Sequence, residues 1–183
     1  MPLSLGSLTT LPAADRPDLL APAVLAGAER DALLTELGVV EIDAADSETA
    51  TTKERYGLDE RDLANCVVVA GSRAGEERIA ACVVLADSRA DVNGAVRRLL
   101  DVRKASFLPM ERAVAESGME YGGITPIGLP ASWRLLVDAR VLERPAVVIG
   151  SGVRRSKIVL PGAVLGRLAG VEVIEGLGVR QTA

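Results

Sequence analysis

Apolar residues recur along this chain mostly in short continuous runs, the pattern of strands buried on both faces. Val39-Val40-Glu41-Ile42, Cys66 to Gly71, Arg78 to Leu85, Leu135 to Asp138, Ala146 to Gly150, Ile158 to Leu160 and Val171 to Ile174 are the strand candidates. A polar link from Ser72 to Glu77, with Gly75 inside it, joins two of them as neighbours. Lys104 to Phe107 is a further short strand. Helical spacing is confined to shorter stretches. Ala and Leu between Pro17 and Leu34 predict one or two short helices broken at Pro22, and the acidic, threonine-rich stretch Asp46 to Arg55 predicts a solvated helix closed by Gly57. Asp91 can cap a helix to Asp101 with Val92, Val96, Leu99 and Leu100 on one face, Pro109 opens one that Gly118 closes, and Pro161 to Leu168 makes the last, stopped by Gly170. Residues 1–16 read as a loosely ordered arm. Several strands from residue 65 onward follow one another without a helix between them. The fold class is therefore α/β of the α+β kind, with a mixed, largely antiparallel sheet.

Composition narrows the chemistry. Apolar residues make up 49% of the chain, yet its aromatic side chains are Tyr56, Phe107, Tyr121 and Trp133, so the core must be aliphatic. Its 183 residues suit one domain. No apolar stretch approaches the ~20 residues needed to span a bilayer, and the N-terminus lacks a signal-peptide pattern; the expectation is a soluble, cytoplasmic protein. Cys66 and Cys82 lie in strand-like runs and read as small core residues. Histidine is absent, which excludes Ser-His-Asp triads, Cys-His dyads and histidine-ligated metals. Neither a metal nor a cofactor is expected. Any catalysis must use carboxylates, lysine, hydroxyls, backbone amides or groups of the substrate. The net charge of −4 disfavours general nucleic-acid binding, but the distribution is uneven: eight basic face sixteen acidic side chains up to residue 90, and thirteen face nine beyond it.

Two loops are candidates for chemistry. Tyr121-Gly122-Gly123-Ile124-Thr125-Pro126-Ile127-Gly128-Leu129-Pro130 combines glycines that let backbone approach a ligand with prolines that fix the turn. Amides exposed in this way can hold an ester carbonyl or an oxyanion, though such a loop can equally be an ordinary connection. Gly150-Ser151-Gly152-Val153-Arg154-Arg155-Ser156-Lys157 adds three cations to two glycines, without the spacing of either common nucleotide-binding fingerprint. It is a phosphate-binding loop or a hairpin with solvated basic residues.

The order of these motifs, Lys104-Ala105-Ser106, Ser117-Gly118, Gly122 to Gly128, Val137-Asp138, Ile149 to Gly152 and Ile158 to Leu160, resembles the YbaK/ProX family of aminoacyl-tRNA deacylases. That family includes the editing domain of bacterial prolyl-tRNA synthetases. The resemblance covers roughly residues 39–176, and its most specific element is the GxxxP motif, Gly122 to Pro126. It divides the chain into an N-terminal arm and helical extension, 1–38, and a deacylase domain, 39–183. It implies a barrel-like sheet surrounded by helices and hydrolysis of tRNA carrying the wrong small amino acid, typically cysteine or alanine on proline tRNA. A group of the substrate replaces a protein nucleophile. By the same resemblance Gly122 and Gly123 are catalytic; Ile124, Thr125 and Pro126 hold the aminoacyl group, and Gly150, Ser151 and Gly152 form the facing loop.

One departure stands out. Where relatives present a lysine, this chain has Asn65, and Lys157 stands where they often carry an acid. Either Lys157 supplies the missing cation from the opposite wall, which makes Asn65 and Lys157 catalytic candidates, or the site no longer performs the family reaction; the plain alternative is that Lys157 points into solvent. Arg97, Arg98, Arg103, Lys104, Arg154 and Arg155 are candidates for the tRNA acceptor stem. The expected partners are mischarged tRNA and, secondarily, an aminoacyl-tRNA synthetase, with no membrane and no DNA. The competing reading is a non-catalytic module that binds tRNA or a synthetase.

Overall fold

A computed structural model describes residues 3–180. The chain begins with three two-residue strands, β1 (Ser4–Leu5), β2 (Leu8–Thr9) and β3 (Leu11–Pro12). Two short 3-10 turns lead into helix α1 (Pro22–Arg30), followed by β4 (Gly38–Glu41) and α2 (Thr49–Tyr56). The hairpin β5 (Ala64–Arg73) and β6 (Glu76–Leu85) follows, then β7 (Ser88–Ala90) and a π-helical turn that runs into α3 (Arg97–Leu100). Next come β8 (Ala105–Phe107), α4 (Met110–Ser117), β9 (Arg134–Asp138), α5 (Ala139–Leu142), β10 (Val147–Gly150) and β11 (Ser156–Leu160). A 3-10 turn over Gly162–Arg167, β12 (Val171–Ile174) and β13 (Gly178–Arg180) complete it.

The strands form a five-stranded sheet in the order β12-β9-β6-β5-β8, a four-stranded sheet in the order β10-β11-β4-β3, and two small ribbons. β9 is parallel to both β6 and β12, and the remaining pairs are antiparallel. The mixed α/β class is as expected. The closed form is not: among the described residues the two larger sheets are joined at one isolated bridge, Leu63 to Val148. β8 pairs with β5 only from Val69 to Gly71, which leaves Ala64 to Val67 paired on one side alone. A gap opens there.

Period-two alternation assigns the side chains to three cores. Ala81, Val83 and Leu85 of β6 and Val147, Ile149, Ile158 and Leu160 of the other sheet face the main core between the sheets. Ala80, Cys82 and Val84 face a second core beneath α3, and Val148 and Val159 a third with Leu8, Leu58 and Leu63.

Local differences from the sequence reading have identifiable causes. Pro22 is the first residue of α1 instead of a break, because a proline costs nothing where the amide has no helical partner. Residues 4–12 form short paired strands, closed on themselves by the β1–β2 pairing and the Thr10–Leu3 bonds and tied to the body where β3 adds to β4. The hairpin turn shortens to Ala74-Gly75, both with positive φ. The segment after Pro161 forms a 3-10 turn, not an α-helix. Among the described residues no helix is long and apolar enough to cross a membrane.

Candidate active site

A cleft of about 570 Å³ occupies the gap beside the free edge of β5. One wall is β5 itself, from Leu63 to Val68; the opposite wall is Val148, Ile149 and Gly150 of β10 with Lys157 of β11. The loop through Tyr121, Gly122 and Ile124 closes one side, and Ser47, Glu48 and Thr49, at the start of α2, close another. Leu108, Met110 and Ala113 make its apolar end.

Lys157 is the buried charged group of the cleft; Glu48, which also lines it, is exposed. Lys157 is 7% exposed, and its Nζ donates to the Ser47 carbonyl at 2.6 Å. No carboxylate pairs with it among the described residues. Burial, and then the nearby Arg154 guanidinium, pull its pKa down from 10.5 to about 8. An ammonium with one acceptor keeps further N–H donors free. Asn65 stands on the facing wall, where its Oδ1 accepts from Thr49 Oγ1 at 2.6 Å. The amide nitrogen of Asn65 is thereby left as its donor.

The glycine loop and the 150–157 loop are stitched together by backbone. Gly152 N donates to Gly123 O at 2.8 Å, Glu120 N to Gly152 O at 2.8 Å, and Gly123 N to Glu120 O at 2.9 Å. The approach leaves no space for side chains: a Cβ at Gly150 would lie 2.4 Å from Gly123 O, and one at Gly123 would lie 2.9 Å from Val153 N. Gly122 has φ +80°, and a Cβ there would stand 3.0 Å from an Arg154 nitrogen. Arg154 itself spans the rim, bonding Tyr121 O and Ala44 O.

Several expected site residues lie behind this wall. Thr125, Pro126, Ser151 and Gly152 are buried and do not line the cleft, nor does Gly123, whose N–H and carbonyl are bonded to Glu120 and Gly152. Ser151 Oγ bonds Ser156 Oγ at 2.7 Å and Ser156 O at 3.0 Å, so it holds its loop shut. Thr125 Oγ1 is buried with no partner. Gly122, Ile124, Gly150, Asn65 and Lys157 do meet in the cleft. Arg155 lies outside, its guanidinium bonded to Asp18 O. Arg97, Arg98, Arg103 and Lys104 are exposed and line no part of it; Lys104 lines a separate shallow depression beside β8.

The sequence reading missed Ser47 and Thr49, which sit in a stretch taken as solvated. Ser47 is 2% exposed, and its Oγ is buried without a partner. Nothing in the local pattern marked them, because their burial depends on β5 and β11. Cys66 is a free thiol on the cleft wall. Burial, and then Cys82, push its pKa up, so it stays a thiol at neutral pH and is a poor nucleophile. Among the described residues no cluster of three or more His, Cys, Asp or Glu side chains is placed to hold a metal ion.

Two solved structures share this arrangement of strands. The hypothetical protein APE2540 is 21% identical with a TM-score of 0.72, over 84% of this chain and 97% of its own. A candidate trans-editing enzyme for prolyl-tRNA synthetase is 21% identical with a TM-score of 0.71, over 85% of this chain and 94% of its own. At that identity the likeness speaks for the fold. No curated protein sequence matches significantly. The family model for the aminoacyl-tRNA editing domain matches residues 44–168, which takes in both walls of the cleft and both glycine loops. The chain belongs to the aminoacyl-tRNA editing domain family.

Proposed function

We propose that this protein is a deacylase that acts in trans, hydrolysing the ester of a mischarged tRNA, with a small amino acid such as cysteine or alanine on proline tRNA as the substrate. The observation that carries this reading is the meeting of Lys157, Asn65 and the Gly122 loop in one cleft. Water adds to the ester carbonyl, the resulting oxyanion collapses, and the ribose oxygen leaves. A neighbouring ribose hydroxyl of the substrate, or the thiol of a cysteinyl group, relays the proton from the attacking water to that oxygen, so no histidine is needed.

Lys157 and the Asn65 amide nitrogen supply donors to the developing oxyanion or to the terminal nucleotide. A lysine partly freed of water serves better there than an exposed one, because its charge is less screened. Gly122 holds the ester against the wall by backbone, and Gly123, bonded to Glu120 and Gly152 behind it, fixes the loop in that position. Ile124, with Ala64, Val68 and Ala113, offers the aminoacyl side chain an apolar surface without an acidic group. Thr125, Pro126, Ser151 and Gly152 serve by fixing the two loops. Arg154 stands where a phosphate would arrive, and Arg97, Arg98, Arg103, Lys104 and Arg155 meet the acceptor stem farther out.

The test is deacylation of a panel of mischarged tRNAs by the purified protein, beside Gly122→Val and Lys157→Ala. Hydrolysis of one species, lost in both variants, is the expected outcome. No hydrolysis by the folded protein would favour the binding module instead. Hydrolysis that survives Lys157→Ala would remove the lysine from the mechanism.

A further inference from the structure

The lip of the cleft carries aromatic side chains that packing does not explain. Phe107 is 64% exposed, Tyr121 57% and Met110 51%, and all three line the same cleft. Trp133 is buried and Tyr56 half-buried, so both exposed aromatic residues stand at this one opening. Leaving a phenylalanine in water on the edge strand β8 forgoes the stabilisation its burial would bring.

Phe107 also links this cleft to another. A second cleft, of about 870 Å³, shares Asn65, Val67 and Phe107 with the first and runs on past Asn93 to Arg89 and Arg180. Its charge is favourable to an anion. Asp91, its carboxylate, spends both oxygens on the Gly94 and Ala95 amides at 2.9 and 2.7 Å. Arg89 is exposed, and Arg180 touches Asp87 only at 3.9 Å with its side chain 74% exposed. An aromatic plane followed by a groove with exposed guanidinium groups is what single-stranded nucleic acid requires: bases stack on the ring, and phosphates pair with the cations.

We infer that the single-stranded 3′ end of the RNA crosses the lip at Phe107, with the base beside the reactive ester stacked on that ring and the preceding strand in the second cleft, its phosphates toward Arg89 and Arg180. This rests on the editing reading, since it places the ester in the first cleft. It adds the path of the strand, and it separates this path from the basic surface around α3.

The test uses an RNA hairpin with a short single-stranded 3′ end terminating in 2-aminopurine and carrying no amino acid, titrated by fluorescence. The wild-type protein should quench the probe on binding. Phe107→Ala should weaken binding by about 5- to 150-fold, the range for loss of one stacked base, while Phe107→Tyr holds it within about threefold. Arg89→Ala with Arg180→Ala should lower the slope of log K against log salt by roughly 1.4 if each meets one phosphate. Phe107 is exposed, so truncation leaves the core intact, which circular dichroism checks. Absence of quenching at saturating protein, or Phe107→Ala binding as the wild type does, overturns the inference. Because the probe has no ester, Phe107-dependent binding without hydrolysis in the tRNA panel would sink the deacylase reading and leave the strand path standing. Hydrolysis that is indifferent to Phe107→Ala in KM, with binding unchanged, would do the reverse.

Discussion

Replacing Lys157 by methionine should make the protein more stable while removing its activity. The drop in pKa from 10.5 to about 8 is set first by burial, and it means that the charged amine costs the folded state about 3 kcal/mol below pH 8. Methionine has a similar length and no charge, so it recovers this cost. It also gives up the 2.6 Å hydrogen bond to Ser47 O, a loss of about 1 kcal/mol. The net gain at pH 7 is about 2 kcal/mol, equivalent to roughly 4–8 °C in Tm for a chain of this size. The pH dependence identifies the cause. Between about pH 8 and pH 10.5 the unfolded chain still holds the proton that the folded chain has released, so wild-type stability relative to the variant rises with pH across that window. Above it the difference should fall to the lost hydrogen bond, now in favour of the wild type. Calorimetry of both proteins at several pH values from 6.5 to 10.5 makes the comparison. A variant less stable at pH 7, with a difference that does not change with pH, would refute the reasoning and mean that the lysine is not strained in its site.

Other expected outcomes are as direct. Gly150→Ala should cost at least about 2 kcal/mol in chemical denaturation and eliminate turnover, because its Cβ would meet Gly123 O at 2.4 Å; a stable, active variant would show that the loops separate freely. Thr125→Val should be neutral or stabilising by up to about 1 kcal/mol, since the buried hydroxyl has no protein partner, whereas a clear loss of stability would reveal an ordered water on it. Asp138→Ala should destabilise by about 3–5 kcal/mol, measured by thermal melting, because the fully buried carboxylate accepts from Gly178 N at 2.6 Å and Arg140 N at 2.9 Å and faces the Arg140 guanidinium; a loss under 1 kcal/mol would contradict that accounting.

Much of the fold was legible because the chain states it locally. The aliphatic runs at 66–71, 78–85, 146–150 and 158–160 fall on strands, since short continuous runs rich in β-branched residues suit a pleated sheet. Gly57 and Gly118 end their helices as expected. Less was legible where partners are distant. The β1–β2 ribbon closes on itself and β3 adds to β4, and nothing in the pattern of residues 3–12 announces either pairing. For the site, the glycine loops and the exchange of charge types drew attention to Gly122, Gly150, Asn65 and Lys157, and these do share a cleft. Spacing could not separate residues that line the cleft from those that brace it, so Thr125, Ser151 and Ile124 looked alike. Ser47 and Thr49 come from a segment whose composition is that of a surface helix, and only the tertiary arrangement turns them inward.

The contact between α1 and the glycine loop bears on exchanging loops between relatives. A Cβ on Gly27 would lie 2.5 Å from Gly128 Cα, and one on Gly128 would lie 2.0 Å from Ala23 O. The helix precedes the segment that the family model matches, yet two backbones in near contact make it part of the mould in which that loop is cast. A graft of residues 121–130 from another member would therefore have to bring glycine at the position of Gly128 and meet glycine at position 27. A chimera joined at the family boundary inherits the motif without the surface that shapes it.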